Sequence, residues 1–153
     1  MKKSLQLLTT LGLVLLGGVL FGQNLEFTLR YNIPLARYEV YARPSVTNAT
    51  FAWGPSQISI VAPAVVPDAA FTITSVSAGA WQDNSIIIAP TVTPAFDYHG
   101  VGSLGAPTNL VTTVEKLIFH FTIAGGCYDG LRLFINGSDP NSAAPGMGGG
   151  DFS

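Results

Sequence analysis

The sequence is poor in the residues on which most enzymes and nucleic-acid-binding proteins depend. Its 153 residues include one cysteine and two histidines, and charged residues make up only 10% of the chain. An ordinary soluble domain has about 25% charged residues. Nucleic acid requires clustered lysine and arginine, whereas the basic residues after position 22 are few and scattered. They are Arg30, Arg37, Arg43, Lys116 and Arg132.

The first 22 residues differ from the rest of the chain. Lys2 and Lys3 precede an apolar run from Leu11 to Phe21, and the segment ends at Gly22. This order predicts a secretory signal peptide over residues 1–22. The run is about half as long as a membrane-spanning helix, so we expect no transmembrane anchor there. The mature chain would be secreted or displayed at the cell surface, with five basic and nine acidic residues and a balance of −4.

The single cysteine, Cys127, is unusual in an exported chain, because such proteins generally use cysteines in disulfide pairs. Three interpretations stay open: a buried inert thiol, a bridge to another chain, and a disulfide partner beyond a truncated C-terminus. Cys127 does not directly follow the signal peptide, as a lipid-anchor cysteine would.

Hydrophobic residues after position 22 alternate with a period of two, which is typical of β-strands. Short runs are separated by glycine, proline and asparagine, and no helical stretch is found. The continuous run Ile86–Ile88 predicts a strand buried on both faces. We therefore predict an all-β fold, an antiparallel β-sandwich over residues 23–137. The expected core consists of Phe27, Leu29, Val40, Ile58, Ile60, Phe71, Ile73, Ile87, Leu117, Phe119, Phe121, Leu131 and Leu133.

Residues 138–153 are rich in glycine, proline and serine and contain almost nothing to bury. This composition predicts a flexible loop or tail. Phe152 is the exception, because it would fit better as the first core residue of a further strand. The chain is therefore expected to stop early.

Five segments carry a resemblance to a known family: YEVYARP at 38–44, SQISIVAP at 56–63, FTITSVSAGAW at 71–81, FDYHGVG at 96–102 and KLIFHFTIAGGC at 116–127. Together they resemble cohesin-like β-sandwich domains, of the immunoglobulin-like jelly-roll type, in secreted and surface proteins of Bacteroidota. The resemblance implies an extracellular setting and a modular place in adhesins or other multidomain proteins. No dockerin-binding residue can be carried over to this chain.

A glycine motif and a serine motif suggest enzymes only superficially. Gly100, Gly102 and Gly105 match the spacing of a dinucleotide-binding fingerprint, but no helix is expected after them, so we interpret the segment as a mobile loop. Ser103 lacks the glycine two positions earlier that a nucleophile elbow requires.

The two histidines do not predict a site either. His99 and Asp97 are too few ligands for zinc, and His120 falls on the polar face of its strand. We expect no catalytic residue and no enzyme activity.

Aromatic residues offer the best case for a binding surface. Tyr41, Trp53, Trp81 and Tyr98 are candidates for a flat platform on which sugar rings would stack, although tryptophans in a sandwich also serve as core residues. Tyr41 lies on the polar face of its strand with Arg37, Glu39 and Arg43, so it is expected to be the more exposed.

Asp139 and Asp151 lie in turn-rich sequence and offer oxygen atoms to calcium, the only cofactor considered. The sequence as a whole predicts a non-catalytic structural or adhesive module, with a carbohydrate-binding module as the alternative. Its partners would be other extracellular protein modules, a polysaccharide or a second copy of the chain.

Overall fold

The computed structural model describes residues 25–149 and 152, which form ten β-strands and no helix. Every strand pair is antiparallel, so the prediction of an all-β antiparallel fold is confirmed. The signal-peptide segment 1–22 and the calcium candidate Asp151 lie outside the described residues.

The strands form two four-stranded sheets and one small sheet. In the first sheet the strand order is β1-β2-β9-β5, and in the second it is β10-β4-β7-β6. Strands β3 and β8 pair separately as the small sheet. The strand bounds are β1 Leu25–Asn32, β2 Arg37–Pro44, β3 Asn48–Ala52, β4 Ser56–Pro63, β5 Thr72–Ser75, β6 Trp81–Ile87, β7 Phe96–Ser103, β8 Pro107–Leu110, β9 Lys116–Thr122 and β10 Arg132–Leu133.

The two larger sheets pack face to face in a sandwich-like arrangement. Val40 and Phe119 of the first sheet share one buried cluster with Ile60 and Val101 of the second. Aromatic rings fill the middle of this core, where Phe121 stacks on Tyr38 and on Phe71 at centroid distances of 5.0 and 4.8 Å. Each sheet therefore has one face in the core and one outer face.

Most of the expected core residues are buried or packed against the core. The prediction is wrong for Phe27 and Leu117. Phe27 is 37% exposed and contacts Trp53 edge-on. Leu117 is only half-buried, and its neighbour Ile118 is fully buried in its place. A β-bulge in the pairing of β2 with β9 inserts one residue and reverses the inward and outward alternation at this point.

Two further sequence expectations are wrong for reasons of strand position. The run Ile86–Ile88 does not form a strand that is buried on both faces. The edge strand β6 ends at Ile87, where both Ile86 and Ile87 are half-buried, and Ile88 beyond it is 51% exposed. Gly100 and Gly102 do not form a mobile loop but lie inside β7, which pairs with β4 on one side and β6 on the other. The missing side chains of these glycines leave the outer face of β7 shallow.

The segment after β10 folds back over the outer face of the second sheet. Met147 and Phe152 are buried there in a cluster with Tyr98 and Val61. The expectation that this segment has almost nothing to bury is wrong at Met147. Phe152, the exception, is buried as expected but against the Tyr98 ring and not in a strand.

Candidate functional site

Three of the four aromatic candidates do not form an exposed platform. Trp53, Trp81 and Tyr98 are 6%, 2% and 0% exposed. The two indole rings meet edge to face at 6.1 Å in the core, and each Nε1–H donates to a protein oxygen, that of Trp53 to Ser56 Oγ and that of Trp81 to the Ser77 carbonyl. Their large apolar area stabilises the fold. The prediction that these three residues form a platform for sugar rings is therefore wrong.

Tyr41 is different, because it lies half-buried on the outer face of the first sheet. The guanidinium of Arg30, on the neighbouring strand β1, is 5.3 Å from the centre of the Tyr41 ring. Arg30 also donates to both oxygens of Glu115, with the Nη1–Oε2 distance being 2.7 Å. The Arg30 guanidinium therefore contacts both the face of the Tyr41 ring and the Glu115 carboxylate on the outer face of the sheet.

The centre of this face is Glu39, whose carboxylate accepts hydrogen bonds from three side chains. Arg37 donates from Nε and Nη2 to Oε1 at 2.8 and 2.6 Å, while Tyr41 Oη and Asn32 Nδ2 donate to Oε2 at 2.6 and 3.2 Å. Glu39 is only 4% exposed although it points away from the core. We call Asn32, Arg37, Glu39 and Tyr41 the Glu39 network.

The charges within the Glu39 network are stable at neutral pH. Burial favours the neutral acid, but the hydrogen bonds from Tyr41, Arg37 and Asn32 outweigh it, so the pKa of Glu39 lies below its ordinary value. The bond to this carboxylate, together with burial, raises the pKa of Tyr41. The phenol thus remains protonated and continues to donate.

The same face continues across the sheet in register. Arg30 of β1 is opposite Glu39, Glu39 is opposite His120 of β9, and His120 is opposite Thr74 of β5. Partial burial and the nearby Arg37 charge lower the pKa of His120, which therefore stays neutral at pH 7. The outer face of the first sheet is thus a flat row of positioned polar groups with Tyr41 beside it.

The second histidine lies in the core and not in a cleft. His99 Nδ1 and Asp83 Oδ2 are 2.8 Å apart, and each side chain is 1% exposed. Phe71 stacks on the imidazole at 3.7 Å and donates its backbone N–H to the same carboxylate oxygen. The bond between Asp83 and His99 therefore links β6 and β7 within the second sheet, and Phe71, which precedes β5 of the first sheet, covers it. The pair is buried and not accessible to a substrate.

No other catalytic arrangement is found within residues 25–149 and 152. Neither histidine hydrogen-bonds to a serine there, and Ser103 Oγ accepts instead from the Gly105 N–H at 3.0 Å. That part of the chain also contains no cluster of three or more histidine, cysteine or acidic side chains suited to a metal. Asp97 Oδ1 accepts a hydrogen bond from the Ala89 N–H at 2.8 Å, and its carboxylate is not bonded to His99.

Asp139 and Cys127 have defined surroundings. Both oxygens of Asp139 accept from Arg132, at 2.6 Å each, and these bonds lower the pKa of the carboxyl. A calcium ion would have to displace that arginine. Cys127 is exposed, with Sγ 3.8 Å from Tyr38 Oη, so the interpretation as a buried thiol is wrong and the other two remain predictions.

A groove of about 480 Å³ lies on the outer face of the second sheet, beside the part that the C-terminal segment covers. Its walls carry amide and hydroxyl side chains from β4, β6 and β7, and Gly102 forms part of its floor. This groove was not predicted, because a glycine-containing segment that is interpreted as a loop has no sheet face. The alternation of Gly100 and Gly102 with His99 and Val101 was the available signal for a strand.

No helix that could cross a membrane occurs in the part of the chain that the structure describes. The chain matches no protein-family model, no curated protein and no solved structure.

Proposed function

We propose that this chain is a non-catalytic structural or adhesive module, secreted or displayed on the cell surface as part of a larger assembly. Its sandwich-like fold and the segments at 38–44 and 116–127 support a cohesin-like, immunoglobulin-like domain of the kind found in Bacteroidota. The signal-peptide pattern of residues 1–22 supports export.

The observation that carries this proposal is the Glu39 network. Removing a carboxylate from water is unfavourable, and the fold compensates with four hydrogen bonds on an outer face where no packing requires the charge. The result is that Tyr41 and Arg37 are held in fixed orientations before any partner arrives. Pre-ordered side chains lose little conformational entropy on binding, which favours a recognition surface.

The chemistry of this face suits a protein partner. Tyrosine and arginine are the residue types most enriched at the energetic centres of protein interfaces, and here Tyr41 is flanked by Arg30 and Arg37. Acidic side chains, Glu39 and Glu115, alternate with these arginines. A complementary face would therefore carry both charge signs and an apolar patch for the tyrosine ring.

The burial of His99 supports the non-catalytic part of the proposal. A general acid or base must reach its substrate within hydrogen-bond distance, whereas His99 and its partner Asp83 are each 1% exposed. Their place between the sheets fits a structural role.

The export step is tested by mass spectrometry of the protein recovered from outside the cells. The mature N-terminus is expected at Gln23. Recovery of the protein only from the cytoplasm, with Met1 or Lys2 at its N-terminus, would contradict export.

The adhesive step is tested by adding the purified, fluorescently labelled protein to cells of the producing organism. Saturable binding is expected, and treatment of the cells with protease should abolish it. Tyr41→Ala should weaken binding by at least about tenfold, the loss typical of a central interface tyrosine, while the exposed Thr50→Ala on the small sheet should bind normally. Binding unaffected by both protease and Tyr41→Ala, or no binding together with no self-association, would overturn the proposal.

A further inference from the structure

The groove on the outer face of the second sheet is separate from the Glu39 network, which lies on the other sheet. Its lining comes from the start of β4, from β6, from the end of β7 and from the turns beside them. Among the lining residues, Ser56, Gln57, Gln82, Asn84 and Ser103 carry side chains that can form hydrogen bonds. The volume of about 480 Å³ lies within the roughly 300–1,000 Å³ typical of small-molecule sites.

The floor of the groove depends on the glycines of β7. A Cβ placed on Gly102 would lie 3.4 Å from Asn84 Oδ1, and one placed on Gly100 would lie 2.8 Å from Gln57 Oε1. The Gln57 amide therefore lies in the space that a side chain at position 100 would occupy, whereas the space above Gly102 is free and is bordered by Asn84 at van der Waals distance. A larger residue at Gly102 would fill the groove without needing an unusual backbone conformation, because Gly102 is not among the glycines with positive φ.

The walls combine fixed and available hydrogen-bonding groups. Ser56 Oγ is held between Trp53 Nε1 and the Gly54 carbonyl, so its position is set by the core. Gln82 and Asn84 are exposed, and within the described residues their side chains have no hydrogen-bond partner. Each amide offers both donors and an acceptor to an incoming ligand.

The charge and polarity of the lining identify the class of ligand. None of the described residues that line the groove is charged, so this lining offers nothing to neutralise an anion or a cation. Amide and hydroxyl side chains bind hydroxyl groups, which both donate and accept. Leu104, 87% exposed at the rim, adds an apolar contact for C–H groups.

We propose that this groove binds a neutral glycan chain, with Gln82 and Asn84 hydrogen-bonding to sugar hydroxyls and Gly102 providing the space for a ring. This inference rests on the proposed extracellular function, because export brings the groove into contact with polysaccharides. In this proposal the groups that recognise the sugar are amide side chains and not the buried tryptophans.

The test is affinity gel electrophoresis of the purified protein in gels that contain soluble neutral polysaccharides: β-glucan, arabinoxylan, glucomannan, dextran and starch. Polygalacturonate and heparin serve as anionic comparisons. At least one neutral polymer is expected to retard the wild-type protein, and the anionic polymers are not. Isothermal titration with an oligosaccharide of the retarding polymer then gives the Kd.

Two variants locate the site. Gly102→Val fills the floor of the groove, and Asn84→Ala removes an exposed amide. Each variant should weaken binding by at least about tenfold, a decrease in affinity that corresponds to the loss of one or two hydrogen bonds to the ligand. Thr50→Ala and Tyr41→Ala should bind the glycan normally. Asn84→Ala keeps the test valid if Gly102→Val does not fold, because the Asn84 side chain is exposed and has no hydrogen-bond partner within the described residues.

The proposal is overturned if no neutral polymer retards the wild-type protein, if both groove variants bind normally, or if an extended peptide binds the groove and glycans do not. Failure here leaves the protease-sensitive cell binding through Tyr41 intact. Failure of the cell-binding test would leave glycan retardation intact, so the two outcomes are distinguishable.

Discussion

Replacement of Glu39 by alanine tests whether the Glu39 network contributes to the stability of the fold. The variant removes the acceptor of four hydrogen bonds. A hydrogen bond to a charged group contributes about 1.5–3 kcal/mol, but these bonds do not add. Water can replace the carboxylate for Arg37, whose side chain is 24% exposed. We therefore expect Glu39→Ala to lower the free energy of unfolding by about 2–3 kcal/mol.

The assay is urea denaturation at pH 7 followed by tryptophan fluorescence, because Trp53 and Trp81 are both buried and report on the core. In a domain of this size the expected loss corresponds to a decrease in Tm of about 8–12 °C. The matched control is Glu115→Ala, which removes an exposed carboxylate from its contact with Arg30 and should change stability far less. A loss below about 1 kcal/mol for Glu39→Ala would refute the reasoning.

The contribution of Glu39 to the free energy of unfolding should depend on pH in a defined direction. Because the pKa of Glu39 is lowered from its ordinary value of 4.5 in the folded state, its stabilising effect is complete above that value. The effect is lost as the pH falls through the lower, folded-state pKa. The difference in stability between the wild type and Glu39→Gln should therefore be constant from pH 6 to 7 and shrink below about pH 4.5. A difference that grows on acidification would contradict this assignment.

Other residues give further expected outcomes. Phe121→Ala should cost about 3–5 kcal/mol in urea denaturation, because the ring is fully buried between Tyr38 and Phe71; a cost below about 1 kcal/mol would mean that this stack is not formed. Gly105→Ala should prevent folding, as judged by circular dichroism, since its Cβ would lie 2.0 Å from the Trp53 carbonyl oxygen, whereas Gly126→Ala, with open space around it, should fold. After reduction, the native protein should react fully with a maleimide at the exposed Cys127, and labelling of the reduced protein that requires urea would contradict its exposure.

The alternation of apolar residues correctly predicted which side chains enter the core wherever a strand continues without a bulge. Val40, Phe119 and Ile60 were expected in the core and are fully buried there. The prediction failed at Leu117, because a bulge depends on how β9 pairs with β2, and residues distant in sequence determine that pairing. It failed at Ile88 because β6 ends at Ile87, and the point at which a strand stops pairing depends on its neighbour β7 and not on the local sequence.

The candidate site was predictable only in part. The alternation in β2 identified Tyr41 as a residue of the polar face, and Glu39 was placed there too, but its burial depends on Asn32 from the adjacent strand. The bond between His99 and Asp83 joins two strands 16 positions apart, and no sequence motif marks it. Burial of Trp81 and Tyr98 depends on which elements cover them, which composition does not reveal.

The central claim is that the outer face of the first sheet contacts a protein partner outside the cell. Hydroxyl-radical footprinting of the free protein and of the protein bound to cells tests it most directly. Tyr41 and Leu117, which are opposite each other in the sheet, should lose reactivity on binding. Tyr128, on the loop between β9 and β10, should not. Unchanged oxidation of Tyr41 in the bound protein would contradict the claim.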